Sequence, residues 1–145
     1  KGHFMINEII YAISRALNEE FGESHEIYME EISQDLKEPC FLINTLEPSV
    51  RHYPGGRYLR RNYFCIQYFP ETEEKYAECN RTAERMTDVL EVIETEAGSI
   101  RGTDMRYRTE DGVLNFFINY NFFTICSRKQ EDEMQGIRTD IGVKE

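Results

Sequence analysis

An Asp-Gly pair, Asp111-Gly112, separates two strand-like segments, Ile100–Thr109 and Val113–Ile125, in the C-terminal third of the chain. Asp-Gly between two strands is a strong signal for a tight β-hairpin. In the second segment every other residue is large and apolar: Leu114, Phe116, Ile118, Tyr120 and Phe122. The opposite face is mixed and carries Asn115, Phe117, Asn119, Asn121 and Phe123. Strict alternation is typical of a strand with one face in the core, so the fold must contain an antiparallel sheet.

Two other segments show the three- and four-residue spacing of amphipathic helices. In residues 6–21 the apolar stripe consists of Ile6, Ile9, Ile10, Ile13, Leu17 and Phe21. Gly22 is placed to end that helix. A second helix is predicted over Thr72–Glu94, with Glu73 and Glu74 in the first turn, where the helix dipole favours negative charge. Its apolar stripe consists of Tyr76, Cys79, Ala83, Met86, Leu90 and Ile93.

The remaining segments complete the predicted sheet. Cys40–Leu46 is an apolar run between two prolines and predicts a strand, while Ile27–Met29 predicts a short edge strand. Tyr58–Phe69 predicts a long strand that ends at Pro70. Its second half is apolar on both faces, which predicts that both faces are covered. Prolines and paired glycines mark Glu47–Arg57 as a loop.

A chain of 145 residues is normally one domain with enough volume for a hydrophobic core. We predict an α+β fold (mixed α/β), with a single, mostly antiparallel sheet of about four strands and two packed amphipathic helices. The domain is expected to span residues 5–126. Residues 127–145 show little periodicity and predict a C-terminal tail or arm. Residues 1–4 are interpreted as a remnant of an expression tag.

No acidic residue occurs between Pro48 and Pro70, although the chain contains 27 acidic and 17 basic residues. Many aromatic residues of this window belong to the predicted core strand. The candidate subunit-interface residues that remain are Arg51, His52, Arg57, Arg60 and Arg61. Three interpretations stay open: a solvated strand end, a protein–protein surface, since Arg and Tyr are enriched at interface hot spots, and direct nucleic-acid contact. An acidic face of a neighbouring copy, for instance the Glu23–Glu38 region, would suit the second interpretation.

The net charge of −10 bears on the partners of the protein. It argues against general binding of nucleic acid, because phosphate contact requires a basic face. It also argues against an anionic membrane surface. No apolar run approaches the roughly 20 residues that a membrane-spanning helix needs. We therefore expect no membrane partner.

A search for catalytic chemistry finds no signature. The serines lack a G-x-S-x-G context, and the loop Pro54–Arg57 lacks the Gly-Lys-Ser/Thr of a phosphate-binding loop. The four cysteines are widely spaced, without a C-x-x-C pair, and are expected to be reduced, buried thiols: Cys40, Cys65, Cys79 and Cys126. We expect no enzyme activity, no cofactor and no metal. The alternative is a small anion- or nucleotide-binding domain or enzyme that uses the arginine-rich 51–61 loop, with His52 as acid or base.

The order of these segments resembles that of the tail terminator (tail-completion) proteins of long-tailed bacteriophages and prophages, notably those from Gram-positive hosts. The similar features are the helix from Ile6 to Phe21, the short strand Pro39–Ile43 and the long strand Arg60–Pro70. A helix containing Met86, Leu90 and Ile93 follows, and then a closing hairpin that includes Asn119–Phe122.

The resemblance implies a structural role without catalytic residues. Proteins of this family form a ring, typically of six copies, that caps the finished tail tube, stops its growth and presents a surface to head-completion proteins. The implied partners are copies of the protein itself, the tail tube protein and a head-completion protein, with DNA only as passing cargo. The implied location is the virion tail, preceded by the bacterial cytoplasm before assembly.

Overall fold

The computed structural model describes residues 6–29 and 35–125, which adopt an α+β fold. Its elements in chain order are α1 (Ile6–Phe21), β1 (Glu26–Tyr28), β2 (Cys40–Thr45), β3 (Ser49–Tyr53), β4 (Arg57–Phe69), α2 (Lys75–Val89), β5 (Val92–Thr95), β6 (Gly98–Glu110) and β7 (Val113–Ile125). The first helix has the predicted bounds. The predicted tail, Cys126 and residues 1–4 lie outside the described residues.

The strands form one sheet in the order β1-β2-β4-β7-β6-β5, and β3 also pairs with β4. Only β1 and β2 run parallel, and the other pairs are antiparallel. The prediction of a mostly antiparallel sheet with two helices is confirmed, but the described residues form seven strands instead of about four. Strands β3 and β5 account for most of the difference, because the segment of β3 was predicted to be a loop and that of β5 to be the end of a helix.

Strand β3 lies inside the segment that was predicted to be a loop. Ser49–Tyr53 pairs antiparallel with the first residues of β4, from Arg61 back to Arg57. The two prolines lie outside this ladder, where they remove no hydrogen bond from it. Gly55 and Gly56 make the turn with φ values of +83° and +75°, a backbone conformation that glycine adopts without strain. The predicted turn is therefore present, but it connects the two strands of a hairpin, β3 and β4, and is not part of a long loop.

The second helix is shorter at both ends than predicted. It spans Lys75–Val89, and Leu90 donates its N–H to the Met86 carbonyl as the helix ends. Val92–Thr95 then pairs with the start of β6. This segment contains β-branched residues, which favour strands over helices. Ile93 is buried as the helical stripe predicted, but it reaches the core from a strand, and Tyr76 of the predicted stripe is 59% exposed.

Both helices pack on the same side of the sheet. The core on that side combines the apolar faces of α1 and α2 with alternate residues of β4 and β7: Phe64, Ile66, Tyr68, Leu114, Phe116, Ile118 and Tyr120. No described helix packs on the other side. That the second, partly apolar face of β4 is also covered therefore stays a prediction.

Two irregularities shape the β6–β7 hairpin. Asp111 and Gly112 both have positive φ, +54° and +77°, as a two-residue hairpin turn with the twist of its strands requires. A β-bulge lies between Thr103 and Arg106, where Asp104 has a φ of +53°. The extra residue of a bulge reverses the side to which the following side chains point.

Candidate functional site

The side of the sheet that faces away from the helices is basic. We call this surface the open face and define it by the outward positions of β3, β4, β7 and the last part of β6, from Thr103 to Glu110. Residues that pair directly across antiparallel strands share a face. The pairings Arg51 with Leu59, Arg57 with Ile125, Arg61 with Asn121, Arg106 with Phe117 and Arg108 with Asn115 thus place five arginines there.

Three of the five predicted interface residues lie on the open face, and two do not. Arg51, Arg57 and Arg61 share it. His52 lies on the helix side, where its ring stacks on Tyr58 with centroids 4.7 Å apart and an angle of 6° between the planes. Arg60 pairs with Phe122 and is also on the helix side. The predicted cluster is therefore divided by the alternation of the strands.

Aromatic rings hold several of the guanidinium groups in place. The Arg57 guanidinium carbon lies 5.7 Å from the ring centroids of both Tyr53 and Phe123. The corresponding carbon of Arg106 lies 4.8 Å from the centroid of Phe117. A ring attracts a guanidinium through its π face and leaves the N–H groups at the edge able to donate elsewhere.

Carboxylates compensate little of this charge. Among the five arginines, only Arg108 forms an ion pair within the described part of the chain, with Glu110 at 3.1 Å. Strands β3, β4 and β7 contain no acidic residue. The acid-free window that is visible in the sequence therefore continues in space onto β7, a strand that lies about fifty residues further along the chain.

A groove of about 990 Å³ crosses one part of the open face. Its walls are formed by the connection between β2 and β3 and by long side chains from β4 and β6. The lining residues are Leu46, Glu47, Pro48, Ser49, Arg61, Tyr63 and Arg106. The groove is open to solvent, so an extended or helical segment of a partner could enter it from the side.

Amide side chains fill the centre of the open face. Asn44 donates to Gln67 at 3.3 Å, and Gln67 donates to Asn115 at 3.0 Å. Beside this series of hydrogen-bonded amides, the buried Oδ1 atoms of Asn119 and Asn121 have no hydrogen-bond partner among the described residues. A buried acceptor without a donor costs roughly 1–3 kcal/mol, so this part of the sheet is not arranged for maximal stability.

Sequence analysis missed two of the arginines on the open face. Arg106 and Arg108 lie in the hairpin, far from the acid-free window, and alternation counted from Ile100 places them on the core side. The bulge at Asp104 reverses that side. The one available signal was the mixed face of β7, where Phe117 stands between Asn115 and Asn119.

Within residues 6–29 and 35–125, no group of three or more His, Cys, Asp or Glu side chains is arranged to hold a metal ion. No described helix is both long and apolar enough to cross a membrane. Three of the four cysteines are free and buried, as predicted: Cys40, Cys65 and Cys79. Burial raises the pKa of the Cys40 thiol to about 11.

A small α+β domain with one sheet face packed by helices and the other rich in arginine and aromatic residues has the features of a protein that works through contacts with other proteins. Residues 8–134 match the sequence model of the phage tail terminator proteins, and the chain belongs to that family. The family resemblance is thereby confirmed. Membership makes it a structural protein of the virion tail that interacts with other tail components. A comparison with curated proteins gave no match.

Proposed function

We propose that copies of this protein form a ring on the end of the tail tube, stop the growth of the tube and present a surface to which a head-completion protein binds. The family match over residues 8–134 is the observation that carries this proposal. A tail terminator acts where a polymer ends, and a ring can match the rotational symmetry of a tube.

The open face supports a role in assembly. This face exposes Arg57, Arg61 and Arg106 beside the apolar side chains of Phe123 and Ile125. Phe123 is 54% and Ile125 is 70% exposed, and contact of these apolar side chains with water is unfavourable. Arginine and aromatic residues together form the centres of many protein interfaces. The same surface, once covered by protein, would no longer offer positive charge to DNA that passes through the ring.

Polymerisation of cognate tail tube protein tests the proposal. Tubes are grown with and without the purified protein, and their lengths and ends are measured by electron microscopy. We expect shorter tubes with a ring-shaped density at one end. Addition of a head-completion protein should then attach it to capped ends and not to bare ends. Tubes of unchanged length with bare ends would contradict the proposal.

An anion-binding role for the arginine-rich segment 51–61 stays a prediction. It can be tested in the same preparation by measuring thermal unfolding with inorganic phosphate and with nucleotides. A shift of the unfolding midpoint that disappears in the His52→Ala variant would favour this role, because that variant leaves the arginines in place.

A further inference from the structure

Charge is separated across the sheet. The open face carries five arginines, and its strand segments contain two acidic residues, Asp104 and Glu110 of β6. By contrast, the helices and the residues next to them, in ranges 6–23 and 71–91, contain eleven acidic and four basic residues. The helix layer and the open face therefore carry opposite net charge. At physiological ionic strength the Debye length is only about 8 Å, so such surfaces attract each other mainly when they come into contact.

Five acidic residues of the helix layer are close in sequence to an ion pair that joins the two helices, or belong to it. Arg85 of α2 binds Glu20 of α1, with its Nε donating to the carboxylate at 2.9 Å and Nη2 donating to the backbone carbonyl at 3.0 Å. Four further acidic residues lie within three positions of Glu20 or Arg85 in the sequence, exposed and without an ion pair in the described residues: Glu19, Glu23, Glu84 and Asp88. Glu84 and Asp88 are four residues apart and so share one side of α2. We call these four residues the acidic patch.

A ring of more than two copies requires two different, complementary surfaces on each copy. In such a ring every subunit contacts one neighbour with one surface and the other neighbour with another. The open face and the acidic patch are two such surfaces, because they lie on different elements and differ in sign. A basic surface would repel an identical basic surface, so a contact between two open faces is disfavoured.

We propose that the open face of one copy, through Arg57, Arg61 and Arg106, contacts the acidic patch of the next copy. This inference rests on the proposed function, in which copies form a ring. The aromatic rings beneath Arg57 and Arg106 limit the freedom of both guanidinium groups before contact, which lowers the entropy that association costs. Exposed Phe123 and Ile125 supply apolar area within the same surface.

Charge reversal in two variants tests the contact. Variant A is Arg61→Glu/Arg106→Glu, which makes the groove of the open face acidic. Variant B is Glu84→Lys/Asp88→Lys, which removes the net charge of the acidic patch and places two lysines opposite the arginines of the open face. In each variant alone, like charges face each other, and we expect the association constant to fall about a hundredfold. In an equimolar mixture, A and B can alternate with opposite charges at every contact, so assembly should return.

The assembly state is measured by analytical ultracentrifugation over a range of concentrations, and by electron microscopy of tube ends when tubes are present. Matched controls reverse two charges outside both surfaces: Lys37→Glu/Lys75→Glu for variant A and Glu8→Lys/Glu96→Lys for variant B. Both controls should assemble like the wild type. Circular dichroism and the thermal midpoint establish that every variant is folded.

The outcomes separate this inference from the proposed function. If variants A and B both assemble and cap tubes like the wild type, the inference is wrong and the proposed function stands. Failure of A and B to assemble alone and also in the mixture would mean that these two surfaces do not contact each other between copies, and would overturn the inference. If the wild type neither assembles nor caps tubes, both proposals fail.

Discussion

The hydroxyl of Tyr68 on β4 donates a hydrogen bond of 2.5 Å to the buried carboxylate of Glu78 on α2. Glu78 also accepts hydrogen bonds from the backbone N–H groups of Glu71 and Thr72 and from the Thr72 hydroxyl. These contacts join the sheet, the connection after β4 and the first turn of α2 at one side chain. Burial alone would raise the pKa of Glu78, but the hydrogen bonds from Tyr68 and Thr72 outweigh it and hold the pKa at about 2.

Replacing Glu78 by Gln should destabilise the domain by about 3 kcal/mol. The NH2 group of the glutamine would face O–H and N–H donors that now bind the carboxylate, and two donors cannot form a hydrogen bond in this buried site. Tyr68→Phe, which removes one of the four donors, should cost about 1.5 kcal/mol. Urea unfolding followed by circular dichroism measures both. Glu84→Gln, an exposed change on the same helix, is the matched control and should leave the free energy of unfolding unchanged. Equal stability of Glu78→Gln and Glu84→Gln would contradict the role assigned to Glu78.

The stability of the protein should depend on pH through Glu78. Its folded-state pKa lies below its ordinary value of 4.5, so its contribution is fully present above about pH 4.5 and is lost as the pH falls towards 2. The difference corresponds to on the order of 3 kcal/mol. Unfolding curves measured from pH 6 to pH 2 should show this decline, and the Glu78→Gln variant should show a shallower one. Parallel curves for the two proteins would contradict the pKa shift.

Gly102→Ala should destabilise the fold by about 1–3 kcal/mol through overpacking. A Cβ atom at this position would lie 2.5 Å from Cδ1 of Ile118 and 3.0 Å from the carbonyl oxygen of Leu90. Gly98→Ala is the control: a Cβ atom there has no neighbouring atom within 4 Å, but Gly98 has a positive φ of +132°. This variant therefore measures the cost of backbone strain without a steric clash. The double variant Gly102→Ala/Ile118→Val should recover part of the loss, since the shortened side chain lacks Cδ1. No recovery would point to the Leu90 carbonyl as the main obstacle.

Asn119→Val should leave the stability unchanged or raise it by about 1 kcal/mol. The Asn119 side chain is 1% exposed and its Oδ1 has no donor among the described residues, so removing the amide removes an uncompensated buried acceptor. Valine also suits a strand. Asn44→Val is the matched control, and it should destabilise the protein because Asn44 donates to Gln67. The thermal midpoints of the wild type, Asn119→Val and Asn44→Val test this prediction. A clear loss of stability in Asn119→Val would mean that the Asn119 Oδ1 atom does accept a hydrogen bond in the folded protein.

The bulge at Asp104 should tolerate glycine and reject β-branched residues. With a φ of +53°, Asp104 has a left-handed backbone, which costs a residue with a branched Cβ roughly 1–2 kcal/mol. We therefore expect Asp104→Gly to be neutral and Asp104→Val to be destabilised by that amount in urea unfolding. Thr103→Val, one residue earlier and outside the left-handed region, serves as the comparison. Similar losses in Asp104→Gly and Asp104→Val would exclude backbone strain as the cause.

Local periodicity predicted the elements that interact mainly through their own repeating faces. The stripe from Ile6 to Phe21 gave the bounds of α1, and the alternation from Leu114 to Phe122 gave the core face of β7. These patterns are reliable because burial of one face sets a spacing that can be read directly along the chain. The same approach failed at Val92–Thr95, where a helical spacing of apolar residues continued into a strand that is stabilised by pairing with β6.

The sequence predicted an α+β fold, an amphipathic first helix and the closing hairpin, and it shows an excess of arginine between Pro48 and Pro70. Only the tertiary structure decided which arginines share a surface. Strand alternation separates Arg60 and His52 from Arg57 and Arg61, and the bulge at Asp104 adds Arg106 from a distant segment. The physical reason is that the side to which a strand residue points depends on register and on bulges, and both are set by pairing with strands that are remote in the chain.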